Sequence, residues 1–143
     1  MRILGIDYGD SRIGVSISDQ MGMIASGLDT INSKNNFNKA VAQVADLCTQ
    51  YDIKTVVVGY PKNMNGTLGE RAQKTEGFIE ALLSHCTQLE IVRWDERLTS
   101  VEAHRTMREI GLNTRKHGKG VVDKIASELI LQGYLDKNYI KHS

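Results

Sequence analysis

The first third of the chain alternates short apolar runs with turns rich in glycine and aspartate. Arg2–Asp7 and Ile13–Ser18 are short, rich in β-branched residues and joined by Tyr8–Arg12, so they read as strands. A weaker third strand is expected from Met23 to Ile31, after the turn Asp19–Gly22, which completes an antiparallel meander. Helical spacing then takes over, with Phe37, Val41, Val44, Cys48 and Tyr51 on one stripe. Thr55-Val56-Val57-Val58-Gly59 is a continuous apolar run, as expected of a strand covered on both faces. The loop Tyr60–Gly66 contains the chain's single proline. Thr67 and Glu70 then have capping-box spacing ahead of a stripe of Ala72, Thr75, Ile79, Leu82 and Cys86. Leu89–Trp94 reads as the last strand. Thr99 and Glu102 repeat the capping box before a short helix carrying Val101, His104, Met107 and Ile110. Asn113–Gly120 reads as a flexible basic loop, and Val122, Ile125, Ala126, Leu129, Ile130 and Tyr134 define the final helix.

Three strands, then alternating helix and strand, then helices predict an α/β fold with a mixed five-stranded sheet flanked by helices. Strands one to three are antiparallel and the last two parallel. Strand one is expected at the centre, because its run is the most apolar. The length of 143 residues predicts a single domain over 1–143 with a core of useful size. A net charge of +1 gives no global field to attract nucleic acid, so any such attraction must be local. Cys48 and Cys86 are too few for a disulfide framework and fall on apolar helix faces, which suits thiols in a reducing compartment. The chain opens directly into a strand pattern, and no run approaches the ~18 apolar residues of a membrane span. A soluble cytoplasmic protein is expected.

Asp7 ends the first apolar strand, Glu96 follows the strand of Ile91–Trp94, and Asp123 sits at the start of the last helix, in its first turn. An unpartnered charge at the edge of a core is expensive, so a cation, a metal or an N–H donor is expected beside each. Alone, each reads equally well as a turn, cap or salt-bridge residue; Arg93 or Arg97 is the natural partner of Glu96. Together they point to a metal site. Three oxygen ligands with no His or Cys partner suit a hard cation, Mg²⁺ or Mn²⁺, and favour phosphoryl chemistry. Asp95 would face the other side of its strand and ranks below Glu96.

Phosphate contacts should be cations or backbone donors. Arg12, Lys62, Arg71, Arg97 and the trio Arg115, Lys116 and Lys119 are the candidates, with Asn65 as a polar donor beside Asn63 and Gly66. Tyr8 and Trp94 are the aromatics nearest the acids and the candidates for stacking on a base, although Trp94 suits the core better. The histidines have no metal-ligand spacing.

These same segments resemble the YqgF/RuvX family, the pre-16S rRNA nucleases related to RuvC-type Holliday junction resolvases. The resemblance is carried by Asp7-Tyr8-Gly9 with Arg12-Ile13-Gly14-Val15, and by Gly59–Gly66 with Arg71-Ala72. Trp94-Asp95-Glu96-Arg97-Leu98-Thr99 and Asp123-Lys124-Ile125-Ala126 complete it. It covers nearly the whole chain, and the four segments in this order are highly specific. The resemblance implies an RNase H-like fold and a metal-dependent nuclease, a hydrolase of phosphodiester bonds, with Asp7, Glu96 and Asp123 as catalytic metal ligands. It also implies a role in ribosome biogenesis, the maturation of the 5′ end of pre-16S rRNA, with precursor rRNA or ribosomal particles as partners. A monomer or weak dimer is expected as the working form. Two-metal relatives generally supply a fourth acid near the last helix, where this chain has Lys124, Ile125 and Ala126. Three other readings compete. One is a resolvase cutting DNA junctions, which needs paired active sites. Another is an ATP-binding module of the actin and sugar-kinase kind, which needs a second domain. The last is a non-catalytic RNA-binding assembly factor.

Overall fold

The computed structural model describes residues 1–61, 69–98, 105, 109 and 119–142. Its strands are β1 (Ile3–Asp7), β2 (Arg12–Ser18), β3 (Ala25–Gly27), β4 (Ile31–Asn32), β5 (Thr55–Tyr60) and β6 (Glu90–Asp95). Its helices are α1 (Phe37–Gln50), α2 (Glu70–His85) and α3 (Lys119–His142), with a 3₁₀ turn at Glu96–Leu98. The sheet runs β3-β2-β1-β5-β6, and β4 pairs separately with β2. β1, β2 and β3 are antiparallel, while β5 and β6 run parallel to β1. The expected architecture is therefore present, with β1 at its centre.

The third strand differs from expectation. Met23–Ile31 resolves into two short pieces, so the sheet has six strands rather than five. The late start at Ala25 follows from the preceding turn. Asp19 accepts hydrogen bonds from the N–H groups of both Met23 and Ile24 through Oδ1, which keeps these two residues out of the ladder and exposed.

The two faces of the sheet are dressed differently. One carries Leu4, Ile6, Ile13, Val15, Ile17, Val56 and Val58 against the buried faces of α1 and α2, where Val41, Val44, Phe78, Ile79 and Leu82 complete the core. On the other, Val57 and Trp94 pack against Ile130, Leu131 and Leu135 of α3. Alternation along the strands assigns the small residues to this second face. A Cβ on Gly5 would stand 2.7 Å from the Cβ of Leu131, and one on Gly59 would stand 2.5 Å from Cδ1 of Ile130. Ser16 donates to the carbonyl of Ser127 at 2.8 Å. Glycine and serine thus let α3 lie directly on β1, β2 and β5, with little side-chain spacing. At the β3 edge, Gln132 and Glu128 of α3 accept from the N–H groups of Ala25 and Gly27, which covers the strand edge.

Helix starts also differ from the sequence pattern. Asn36 caps α1 by accepting from the N–H of Lys39. α2 begins at Glu70 with Gly69 as its N-cap and no side-chain cap, so Glu70 does not occupy the third position of a capping box; Thr67 lies outside the described residues. α3 begins at Lys119, which takes Lys119 and Gly120 out of the expected loop and leaves no acid in the first turn. Of the short helix expected after Thr99, Arg105 and Glu109 are described and are helical, while Val101, His104, Met107 and Ile110 lie outside the described residues. No helix among the described residues is long and apolar enough to cross a membrane.

Candidate active site

Sheet register brings the acids together. Asp7 pairs with Gly14 across β1 and β2, and Ile6 pairs with Val58, which sets Gly59 beside Asp7 at the strand ends. Gly59 in turn pairs with Trp94, two residues before Glu96. Asp7 shares the α3-facing side of β1 with Gly5, by the two-residue period of a strand. Glu96 reaches the same side, since a Cβ on Gly59 would stand 2.9 Å from its Oε1. Asp123 enters from α3, whose backbone rests so closely on Gly14 that a Cβ there would collide with the Asp123 carbonyl.

The electrostatics agree with this geometry. Asp7 is half-buried, and its carboxyl is pushed up from its ordinary 3.8 to about 7. Burial contributes most, followed by the negative charges of Glu96 and Asp123, while the Arg71 guanidinium pulls the other way. Acids from the first strand, from the turn after β6 and from the last helix therefore interact at one end of the sheet. Asp7 lies on the strand between β2, where Asp123 rests, and β5, which Glu96 reaches.

Asp123 is held from the side. Arg12 Nε donates to Asp123 Oδ2 at 2.6 Å, with both groups half-exposed. This corrects one expectation. The helix macrodipole does not support the Asp123 carboxylate through a first-turn position, because α3 starts four residues earlier. Arg12, also expected as a phosphate contact, is paired with Asp123 in this structure. Of the two expected partners of Glu96, Arg93 is engaged elsewhere and the side chain of Arg97 lies outside the described residues. Arg93 lies on the α2 side of β6 and grips Glu76 through Nε and Nη2, holding its carboxyl below the ordinary range; Tyr60 donates to the same carboxylate at 3.3 Å.

The remaining candidates divide. Arg71 faces the acids from the first turn of α2. Its neighbour Lys74 pairs with Asp10 at 2.9 Å, a contact between α2 and the β1–β2 turn that the sequence did not reveal. Lys62, Asn65, Arg115 and Lys116 lie outside the described residues, as do the side chains of Arg97 and Lys119. Neither aromatic offers an open stacking platform. Tyr8 packs on Phe78 and Phe37, with ring centroids 5.0 Å and 6.4 Å away, and Trp94 is buried against Tyr134.

Carboxylate oxygens alone make a donor set for a hard divalent cation, and mutual repulsion among acids is what such a cation relieves. With the side chains as they stand, no group of three or more His, Cys, Asp or Glu among the described residues is assembled to hold a metal ion. The acids suit the ion by chemistry, but Asp123 is turned to Arg12.

A mixed sheet with its acids at one end, crossed by a long C-terminal helix, is the RuvC-type, RNase H-like arrangement. The structure of Thermus thermophilus RuvC in complex with a Holliday junction substrate superposes with a TM-score of 0.66 at 14% identity, covering 98% of this chain and 96% of that one. The fowlpox virus Holliday junction resolvase gives 0.59 at 15% identity, covering 96% and 99%. At such identities the likeness concerns the fold. Residues 1–137 match the family model described as "RuvX: Holliday junction resolvase", and the chain belongs to that family of phosphodiester hydrolases. Relatives named "Putative pre-16S rRNA nuclease" include one from Ruminiclostridium cellulolyticum, 55% identical over 137 residues and covering 96% of this chain and 95% of its own length. Another, from Acetivibrio thermocellus, is 51% identical over 136 residues, covering 95% and 96%.

Proposed function

We propose that this chain, a single domain over residues 1–143, is a metal-dependent endonuclease that trims the 5′ end of precursor 16S rRNA in the cytoplasm. The observation that carries the reading is Asp7, whose half-buried carboxyl is raised to about 7 by burial and by Glu96 and Asp123. Such a group is costly to keep, and a site that collects negative charge has a use for a cation. Asp7, Glu96 and Asp123 would hold Mg²⁺ or Mn²⁺. When bound, the ion supplies an activated water and neutralises charge on the phosphorane-like transition state. The chain's own residues do the rest. The close seat of α3 on Gly14 fixes Asp123 relative to Asp7, and Gly59 leaves room for the Glu96 carboxylate. Arg71, whose charge acts on Asp7, gives the scissile phosphate a cation beside the acids, and Arg12 offers a second. Lys62, Asn65, Arg97, Arg115, Lys116 and Lys119 supply further contacts along the strand, on a protein working as a monomer or weak dimer with precursor rRNA or a ribosomal particle.

The names of the relatives at about half identity or more support an RNA substrate. The family description favours a second reading, cleavage of a four-way DNA junction. A net charge of +1 offers no broad basic surface for two duplex arms, which speaks for the RNA. The test is a competition at equal nucleotide concentration and fixed salt, with Mn²⁺ present. Precursor rRNA should be cut before the junction. Symmetric nicking of the intact junction at the higher rate would replace the rRNA reading with the resolvase one.

A further inference from the structure

We propose that Arg12 is the resident counter-ion of Asp123 and thereby sets the cation affinity of the acid cluster, a positioning role that rests on the metal-site reading above. Arg12 and Gly14 share one face of β2, two residues apart. Gly14 seats the Asp123 backbone on that face, and Ser16 ties down the next turn of α3 through the Ser127 carbonyl. Asp123 is therefore pinned where the Arg12 side chain meets it, at 2.6 Å. Neither partner can drift away by sliding the helix.

The balance of charge at the cluster follows from this. Three carboxylates face two guanidiniums, Arg71 acting on Asp7 and Arg12 bonded to Asp123. A divalent cation that recruits Asp123 has to take the carboxylate from Arg12 and then stand near a like charge. The exchange is feasible because the pair is not sealed. Arg12 is 37% exposed and Asp123 24%, so the guanidinium can turn to solvent, and exposed pairs of this kind are weak. Repulsion between +1 and +2 charges roughly 5 Å apart in a water-like medium still lowers cation affinity by about tenfold. Arg12 thus keeps the cluster folded and quiet without metal, at the expense of metal affinity.

The experiment measures Mn²⁺ binding to the full chain at fixed pH and salt without nucleic acid, by electron paramagnetic resonance of the free ion. Arg12→Gln should lower the Kd about tenfold, and Arg12→Lys, which keeps the charge, should stay near wild type. In an Asp123→Asn background, where no carboxylate holds the guanidinium beside the cluster, Arg12→Gln should bring a clearly smaller gain. A readout needing no variant is the Arg12 Nε–H resonance of the wild type, which should shift during a Mg²⁺ titration with the same Kd as binding. Wild type that binds Mn²⁺ while Arg12→Gln binds no tighter, or a resonance that stays still at saturation, overturns the Arg12 assignment alone. Absence of Mn²⁺ binding in both wild type and Arg12→Gln overturns the metal-site reading, and this inference with it.

Discussion

Gly14 lies directly under the Asp123 backbone, so the smallest side chain at position 14 would displace the helix that carries the acid. Gly14→Ala should destabilise the protein by about 3 kcal/mol, the upper end for overpacking, because the obstacle is backbone and cannot rotate away. Gly77→Ala provides the contrast. Gly77 is exposed in the middle of α2, where an added Cβ would meet nothing within 4 Å, and alanine there should stabilise by about 1 kcal/mol. Urea unfolding of the two variants checks both signs at once, and equal effects would contradict the seating of α3 on β2.

Asp7 makes stability depend on pH in a stated direction. Its carboxyl titrates at about 7 when folded and near 3.8 when unfolded, so between these values the native state holds more protons than the unfolded one. Stability should therefore fall as pH rises from about 4 to 7, by up to about 1.4 kcal/mol per pH unit, and stay low above that window. Asp7→Asn removes the penalty. It should be more stable than wild type at pH 8, with the advantage shrinking towards pH 4. Unfolding curves at pH 4.5, 6 and 8 measure this, and parallel profiles for the two proteins would contradict it.

Arg115, Lys116 and Lys119 form a basic run just ahead of Asp123 in sequence. Replacing all three with alanine should weaken RNA binding and flatten its salt dependence, by roughly 0.7 to 0.9 in the log–log slope for each phosphate no longer neutralised. The melting temperature should barely move. An unchanged slope would exclude the run from the phosphate-binding surface.

The two thiols should react very differently. Burial, with a smaller contribution from nearby Cys86, pushes Cys48 up to about 12, whereas Cys86 is only half-buried at the end of α2. A thiol reagent at pH 8 should label Cys86 in the native protein and reach Cys48 only on unfolding. Mass spectrometry of the labelled peptides decides it, and equal labelling would contradict the packing of α1 against α2.

Much of this architecture was legible in the sequence. Apolar periodicity placed α1, whose buried face shows as a stripe, and apolar runs placed β1, β2, β6 and β5, the last buried on both faces and so unbroken, as well as the central position of β1. The side-chain capture by Asp19 that delays the third strand to Ala25 was not visible, since it depends on a turn closing. Nor was the true start of α3, where Lys119 and Gly120 look like loop residues by composition. The acids themselves were readable from their places at element ends. Their pairing was not. Arg12, Gly14 and Ser16 alternate on an otherwise apolar strand, and that run of polar and small residues was the available sign that a helix would press on this face. Asp10 and Lys74 carried no such sign, because a surface ion pair leaves no periodic trace.

The central claim is that Asp7, Glu96 and Asp123 act as one cleavage site, and the most direct measurement is the cleavage rate of a precursor 16S rRNA fragment in Mn²⁺ for wild type, Asp7→Asn, Glu96→Gln, Asp123→Asn and the triple variant. Each single substitution removes ligand charge with little change of shape, so each should abolish cleavage while circular dichroism stays native. The triple variant should be hardly worse than any single one, because groups that act as a unit are not additive. Wild-type cleavage by a folded Asp7→Asn protein, or losses that simply multiply across the three substitutions, would contradict the account.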